Sequence, residues 1–192
     1  MKENHQERNT AGNVKETACG LESESEELIV LALREIREQG DPVLEKKCKP
    51  VQEMTPRIHD LIADMFETMY ANNGCGLAAP QVGILRRITV IDVDDGNQYV
   101  LINPEIIEKS GSQTGEEGCL SVPGMAGTVT RAAHVKVRAL NENFEPYELE
   151  ADELLARCIQ HECDHLDGHL YVEKVEGDLH SVTEEDRLGE AE

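Results

Sequence analysis

Between residues 55 and 74 the chain reads TPRIHDLIADMFETMYANNG, and the apolar positions Ile58, Leu61, Ile62, Met65 and Met69 recur at helical steps. That periodicity puts them on one face of a helix packed against a core. Thr55 can cap the start, Pro56 suits the first turn, and Asn73-Gly74 provides the stop. The two methionines read as core rather than as metal ligands. The next runs, RRITVIDV and QYVLINPEI, are β-branched and separated by DDGN, which predicts a hairpin. HVKVRAL and YELEA both alternate, with NENFEP between them, and predict a second antiparallel pair. DELLARCIQHECDHLDG closes the pattern as a helix, with Leu154, Leu155, Ile159 and Leu166 for packing and Gly168 as its stop. Strands grouped apart from helices favour an α+β fold over a βαβ sheet.

The flanks read differently. Residues 1–27, with ESESEE at 22–27, are expected to be a disordered acidic leader, and 174–192 an acidic C-terminal tail. The segment 28–173 is left as one domain, an expectation that 192 residues and 39% hydrophobic content support. The net charge of -21 argues against a nucleic-acid partner, because phosphate binding needs a basic face. Six cysteines raise the question of disulfides. The N-terminus, however, shows no secretory leader, and the apolar run LIVLAL at 28–33 is too short for a membrane span. The reading is a cytoplasmic protein with reduced thiols and no membrane contact, in which a cysteine is free to bind metal.

The candidate chemistry lies in RCIQHECDHLDG, residues 157–168. His161 and His165 fall one turn apart on a helix face with Glu162 beside them, the HExxH arrangement in which two imidazoles hold a metal and a carboxylate reaches a water on it. A third ligand is required. In a metzincin it would sit at the position of Tyr171, and His169 comes two residues too early; a gluzincin needs a downstream glutamate on another helix. Among the cysteines, Cys163 turns roughly 200° away from His161 and Cys158 lies roughly 7 Å along the axis from the pair, so Cys158 lines the site. Cys119, in the glycine-rich GEEGCLSVPG, is the best candidate. NNGCGLAAPQVG at 72–83 adds glycines that permit close backbone approach and Gln81 as an amide donor. A purely structural metal site would have four protein ligands and no use for Glu162. His59, His134, His169 and His180 read as ordinary surface or core residues.

Taken together, GCGLAAPQ at 74–81, EGCLS at 117–121 and QHECDH at 160–165 resemble the three signature motifs of peptide deformylases. The resemblance extends over roughly 30–173, with GDPVL, MFETMY and ELEADELLARCIQHE. It implies antiparallel β-sheets around a central helix that carries the histidines. It makes Cys119, His161 and His165 the ligands of one divalent metal ion, Fe(II) by preference, with zinc, nickel or cobalt as alternatives. It makes Glu162 the general acid/base, with Gln81 and the backbone N–H of Leu120 donating to the reacting oxygen. Gly74, Cys75, Gly76, Glu117, Leu154, Arg157 and Cys158 are placed around the substrate. The implied reaction removes the formyl group from the N-terminal methionine of new polypeptides. The acidic tail lacks the basic helix some relatives use near the ribosome, so ribosome contact is expected to be transient at most, and the protein to be a monomer.

Overall fold

The computed structural model describes residues 32–182. The leader expected at 1–27 lies outside them, as do the last residues of the acidic tail. In chain order the elements are α1 (Pro56–Ala71), β1 (Gly76–Ala78), a 3-10 turn (Ala79–Val82), β2 (Ile88–Ile91), β3 (Tyr99–Ser110), β4 (Gln113–Cys119), β5 (Val122–Arg131), β6 (His134–Leu140), β7 (Pro146–Asp152), α2 (Glu153–Asp167), a second 3-10 turn (Tyr171–Lys174) and β8 (His180–Ser181). Five strands form one sheet in the order β1-β2-β3-β6-β7, and β4, β5 and β8 form a second. All the strand pairs within these sheets are antiparallel. The fold is α+β, as the grouping of elements predicts.

The core follows from alternation along β2 and β3. Ile88, Val90 and Ile102 face Leu61, Ile62, Met65 and Met69 of α1, whereas Ile91 and Leu101 face Ala156, Ile159 and Cys163 of α2. Side chains of a strand alternate between faces, so a sheet with a helix on each side has apolar residues in succession. That is why ITVI lacks the polar alternation seen in HVKVRAL. On its other side α2 reaches the smaller sheet, where Arg157 bonds to backbone carbonyls of β4 and β5. The helix therefore runs between the two sheets.

Both predicted hairpins form, with Ile88 opposite Ile102 and His134 opposite Asp152. Both helices form as well. Thr55 precedes α1 without a side-chain cap bond, and its carbonyl instead accepts from the N–H groups of Ile58 and His59. At the far end it is Asn73, with φ 54°, that adopts the left-handed conformation, while Gly74 does not. Two departures are larger. The β4–β5 hairpin was not predicted, and the acidic segment after residue 173 does not leave the domain. Glu176 N–H bonds Thr128 O at 2.8 Å, and β8 pairs with β5 through Met125 and Ala126. Two pairing residues in an acidic run carry no periodic signal, which is why this pairing cannot be read from the sequence.

Gly168 ends α2 in the left-handed conformation at φ 86° and sits against the 43–49 segment, where a Cβ would lie 2.7 Å from Glu45 O. Gly96 has the same φ of +86° but nothing within 4 Å. A left-handed φ costs a non-glycine residue about 1–3 kcal/mol, and each kcal/mol moves the midpoint of a domain this size by about 2–4 °C. We expect Gly168→Ala to lower the thermal midpoint clearly more than Gly96→Ala does. Equal losses in the two variants would show that the Glu45 contact yields freely.

Candidate metal centre

His161 and His165 project from one face of α2, a single turn apart, with ring centroids 5.0 Å apart. Cys119 ends β4 and is carried to them by the tight turn into β5, its Sγ 3.3 Å from His165 Nε2. One ligand atom from each of Cys119, His161 and His165 lies within 4.8 Å of the others. Cys119, 42 residues before His161 and 46 before His165, thus joins them to supply three donors to one point, the number that a catalytic site with an open position uses.

The orientation of His161 is set from behind by Glu117. His161 Nδ1 lies 3.0 Å from Glu117 Oε2, and the same carboxylate receives Arg131 Nε at 2.5 Å, Arg131 Nη2 at 2.8 Å and Arg157 Nη1 at 2.7 Å. Burial pushes the Glu117 pKa up, but the bonds from His161 and Arg131 outweigh it and bring it down to about 2. An ionised carboxylate only accepts hydrogen bonds, so Nδ1 of His161 carries the proton and Nε2 keeps its lone pair for the cluster. Arg131 continues to Asp164 at 2.8 Å, and Lys174 closes on that same aspartate. Glu117 and Arg157, expected around the substrate, have side chains only 3% and 10% exposed, and their polar groups are engaged within the protein.

Gln81 stands on the other side. Its Oε1 accepts from Ala78 N–H at 2.8 Å, and its Nε2 donates to Ser121 Oγ at 3.1 Å and points at Cys119 Sγ, 3.5 Å away. The amide is therefore fixed with its donor end toward the cluster. Leu120 lies in the two-residue turn between β4 and β5, and its N–H makes no hydrogen bond among the described residues. A strap from the N-terminal segment holds both loops: Arg37 N–H bonds Gln81 O at 2.7 Å and Gln39 N–H bonds Ser121 O at 2.8 Å. No motif in the sequence announced Arg131 or this strap, and the motifs that contain Ser121 and Asp164 gave those two residues no role, because their partners Gln81 and Arg131 lie 40 and 33 residues away.

The glycines act by what they lack. A Cβ on Gly76 would lie 2.5 Å from Glu162 Oε1 and 2.7 Å from Cys158 Sγ, and one on Gly74 would lie 2.8 Å from Leu120 Cδ1. The edge 74–76 therefore closes directly on α2 and the β4–β5 turn. Cys158 Sγ sits 3.9 Å from Cys75 Sγ along that edge. Leu154, expected to pack in the core, is instead 52% exposed, one helical turn before Cys158 on the same face.

Burial raises the Cys119 pKa to about 12, raises that of Glu162 well above the carboxylate range, and lowers that of His165 well below the usual histidine value. Oε2 of Glu162 and Nδ1 of His165 are buried without a hydrogen-bond partner. Unpaired buried polar atoms are costly, and positive charge placed among these groups would favour the thiolate and the carboxylate at once. A soft thiol with two imidazoles is a donor set that fits a divalent transition metal.

An α+β fold holding a thiol, two imidazoles and an unpaired carboxylate on an HExxH helix defines a metal-dependent hydrolase. A family model described as polypeptide deformylase matches residues 33–179. A peptide deformylase of Agathobacter rectalis is 67% identical over 156 residues, 81% of this chain and 98% of that protein. The crystal structure of a peptide deformylase from Legionella pneumophila superposes with a TM-score of 0.72 at 43% identity, covering 82% of this chain and 90% of that one. One from Synechococcus elongatus, in complex with actinonin, gives 0.73 at 44% identity over 75% of this chain and 79% of that one. The chain belongs to the polypeptide deformylase family. It is a metal-dependent hydrolase that removes the N-formyl group from the N-terminal formyl-methionine of newly synthesised polypeptides and releases formate. No helix among the described residues is long and apolar enough to cross a membrane.

Replacing Glu117 by glutamine keeps its shape but removes the charge that faces Arg131 and Arg157 and turns one of its two acceptor oxygens into an NH2 donor, which must then face the N–H groups of Arg131 and His161 or those of Arg131 and Arg157. Breaking a buried pair costs about 3–5 kcal/mol. Losing the partner of a ligating histidine typically weakens metal binding about 10–100-fold. We expect Glu117→Gln to show both effects, in denaturant unfolding and in metal competition against a chelator. Unchanged metal retention would refute the orienting role given to Glu117.

Proposed function

We propose that Cys119, His161 and His165 hold one divalent metal ion, that Fe(II) is the working ion, and that zinc, nickel or cobalt can take its place. The observation that carries this reading is the convergence of the three ligand atoms within 4.8 Å, beside the unpartnered, buried Oε2 of Glu162. When bound, the ion supplies Lewis acidity that polarises the formyl carbonyl and makes a water acidic enough to act near neutral pH.

The remaining work falls to this chain's own groups. Glu162 Oε2 takes the proton of the attacking water and returns it to the leaving nitrogen, since the amine departs poorly without it. Its raised proton affinity suits a carboxyl that must hold that proton between the two steps. Gln81 Nε2 and the Leu120 N–H donate to the oxygen as it gains charge. Such a donor is worth roughly 2.7–4 kcal/mol to the transition state when it is fixed beforehand. The bond to Ser121 and the one from Ala78 supply that fixing. Gly74, Cys75, Gly76, Leu154 and Cys158 line the place of the methionine side chain, with the exposed Leu154 at its rim. Glu117 and Arg157 serve from behind as positioning residues.

The protein works in the cytoplasm as a monomer, takes nascent formyl-methionyl chains, and touches the ribosome only transiently. Its net charge of -21 disfavours lasting contact with RNA. The catalytic domain reaches residue 182 and so takes in the first part of the acidic tail.

Formate release from a short formyl-methionyl peptide tests the assignment, using protein purified without oxygen and loaded with Fe(II) or nickel. Rapid release that disappears in Glu162→Ala is the expected result. Release that survives in this variant would remove Glu162 from its role. Gln81→Leu should lower kcat about 100-fold or more while leaving KM within a few-fold. Ferrous iron beside a thiolate is open to oxidation, so the Fe(II) form should lose activity in air while the nickel form keeps it. Equal survival of both in air would argue against iron as the oxygen-sensitive partner of Cys119.

A further inference from the structure

Cys75 is exposed and lies on the edge that leads into β1, whereas Cys158 is buried on the site-facing side of α2. Although 83 residues separate them in sequence, their Sγ atoms are 3.9 Å apart, and Cys158 Sγ also faces Cys75 O at 3.6 Å. Neither thiol belongs to the metal cluster. Gly76 makes the approach: any side chain there would collide with both Cys158 Sγ and Glu162 Oε1. Two thiols in contact, one on an exposed residue and one next to the acid/base, form a dithiol whose redox chemistry the hydrolytic reaction does not use.

We propose that Cys75 and Cys158 form a modification site, an intramolecular disulfide made by a peroxide oxidant, which closes the edge of the substrate pocket and is reopened by thiols. Closure of the pocket rests on the substrate placement given above; formation of the bond does not.

The geometry requires little movement. A disulfide is about 2.05 Å long, so the two sulfurs must approach by about 1.9 Å. The reactive end is also defined. Its contact with Cys158 lowers the Cys75 pKa to about 7, whereas Cys158 is held protonated by that contact and by burial. The thiolate is the nucleophile, and a neighbouring thiol resolves the oxidised form. The Cys75 thiolate attacks one peroxide oxygen, the O–O bond breaks, hydroxide leaves and takes up a proton, and Cys75 becomes a sulfenic acid. Cys158 then attacks that sulfur as its own proton departs. The S–O bond breaks, the S–S bond forms and water leaves. Two thiols have lost two electrons, and hydrogen peroxide has become two waters.

The test uses the full-length, nickel-loaded protein, exposed to a few equivalents of hydrogen peroxide, alkylated and digested with trypsin. The expected product joins the tryptic peptide 58–86, in which Cys75 is the only cysteine, to the peptide 158–174. Fragmentation places the link at Cys158 rather than Cys163. Cys75→Ser and Cys158→Ser should each abolish the link. Formate release should fall at least tenfold as the link forms and return on addition of dithiothreitol, while Cys75→Ser keeps whatever rate it starts with. The proposal is overturned if both thiols remain alkylatable while Cys119 is oxidised, or if the link forms without loss of activity. Formate release by the reduced protein, measured in the same experiment, separates the two readings: release without a link defeats the disulfide alone, and a link without any initial release defeats the substrate placement instead.

Discussion

Moving a carboxylate out of water is costly unless donors surround it, and Glu117 is buried where four N–H groups from Arg131, Arg157 and His161 converge. Those donors belong to three elements. Glu117 lies on β4, Arg131 ends β5, and Arg157 and His161 are on α2. The cluster therefore ties the smaller sheet to the helix at the point where both contribute residues of the candidate metal centre. As a source of stability it is weak, because an apolar core could replace it at no loss. As a way of fixing one ring nitrogen it is hard to replace: an ionised carboxylate behind Nδ1 selects the tautomer that leaves Nε2 available.

The same constraint accounts for the route of the backbone around the site. Cys119 reaches His165 only if β4 and β5 turn tightly beside α2, and Gln81 reaches Cys119 only if the loop after β1 closes over that turn. Glycine at 74 and 76 allows the closure by removing side chains that would collide with Leu120, Cys158 and Glu162. The strap at Arg37 and Gln39 then bonds both loops through their carbonyls. A loop positioned from both sides can hold an amide donor at a fixed point, which electrostatic stabilisation of a developing oxyanion requires.

The parts of the fold that could be read from the chain are those whose determinants are local. The helix carrying His161 and His165 has its periodicity, its HExxH spacing and its terminal glycine within about five turns. Both hairpins of the larger sheet carry β-branched runs with turn residues between them. The β4–β5 hairpin has no such signal, because Gln113, Thr114, Glu116 and Glu117 make β4 polar on both faces; Glu117 is buried through ion pairing rather than through hydrophobicity. Composition places a glutamate outside. Its burial is dictated by Arg131 and Arg157, 14 and 40 residues away. The cluster of Cys119, His161 and His165 was legible as a candidate metal-ligand set because spacing on the helix left a third ligand to find and the three motifs resemble one family. The residues that orient those ligands were not, since nothing in EGCLS says which way its glutamate points. Leu154 shows the opposite failure: a leucine at helical spacing reads as core, and its exposure depends on where the helix meets the sheet.

The least stable arrangement in the site is also the most informative. Glu162 Oε2 is buried with no partner, and its acid form is favoured by burial and by the negative charge near it. A protein that sought only stability would pair this group, as it pairs Glu117 a few ångströms behind the histidines. Two buried glutamates beside one cluster are thus treated in opposite ways. Glu117 has its proton affinity driven down and its lone pairs filled. Glu162 has its proton affinity driven up and a lone pair left open, as the proposed acid/base role requires. Gly76 makes the difference structural, since a side chain there would fill the space beside Oε1 and push the carboxylate away from the cluster.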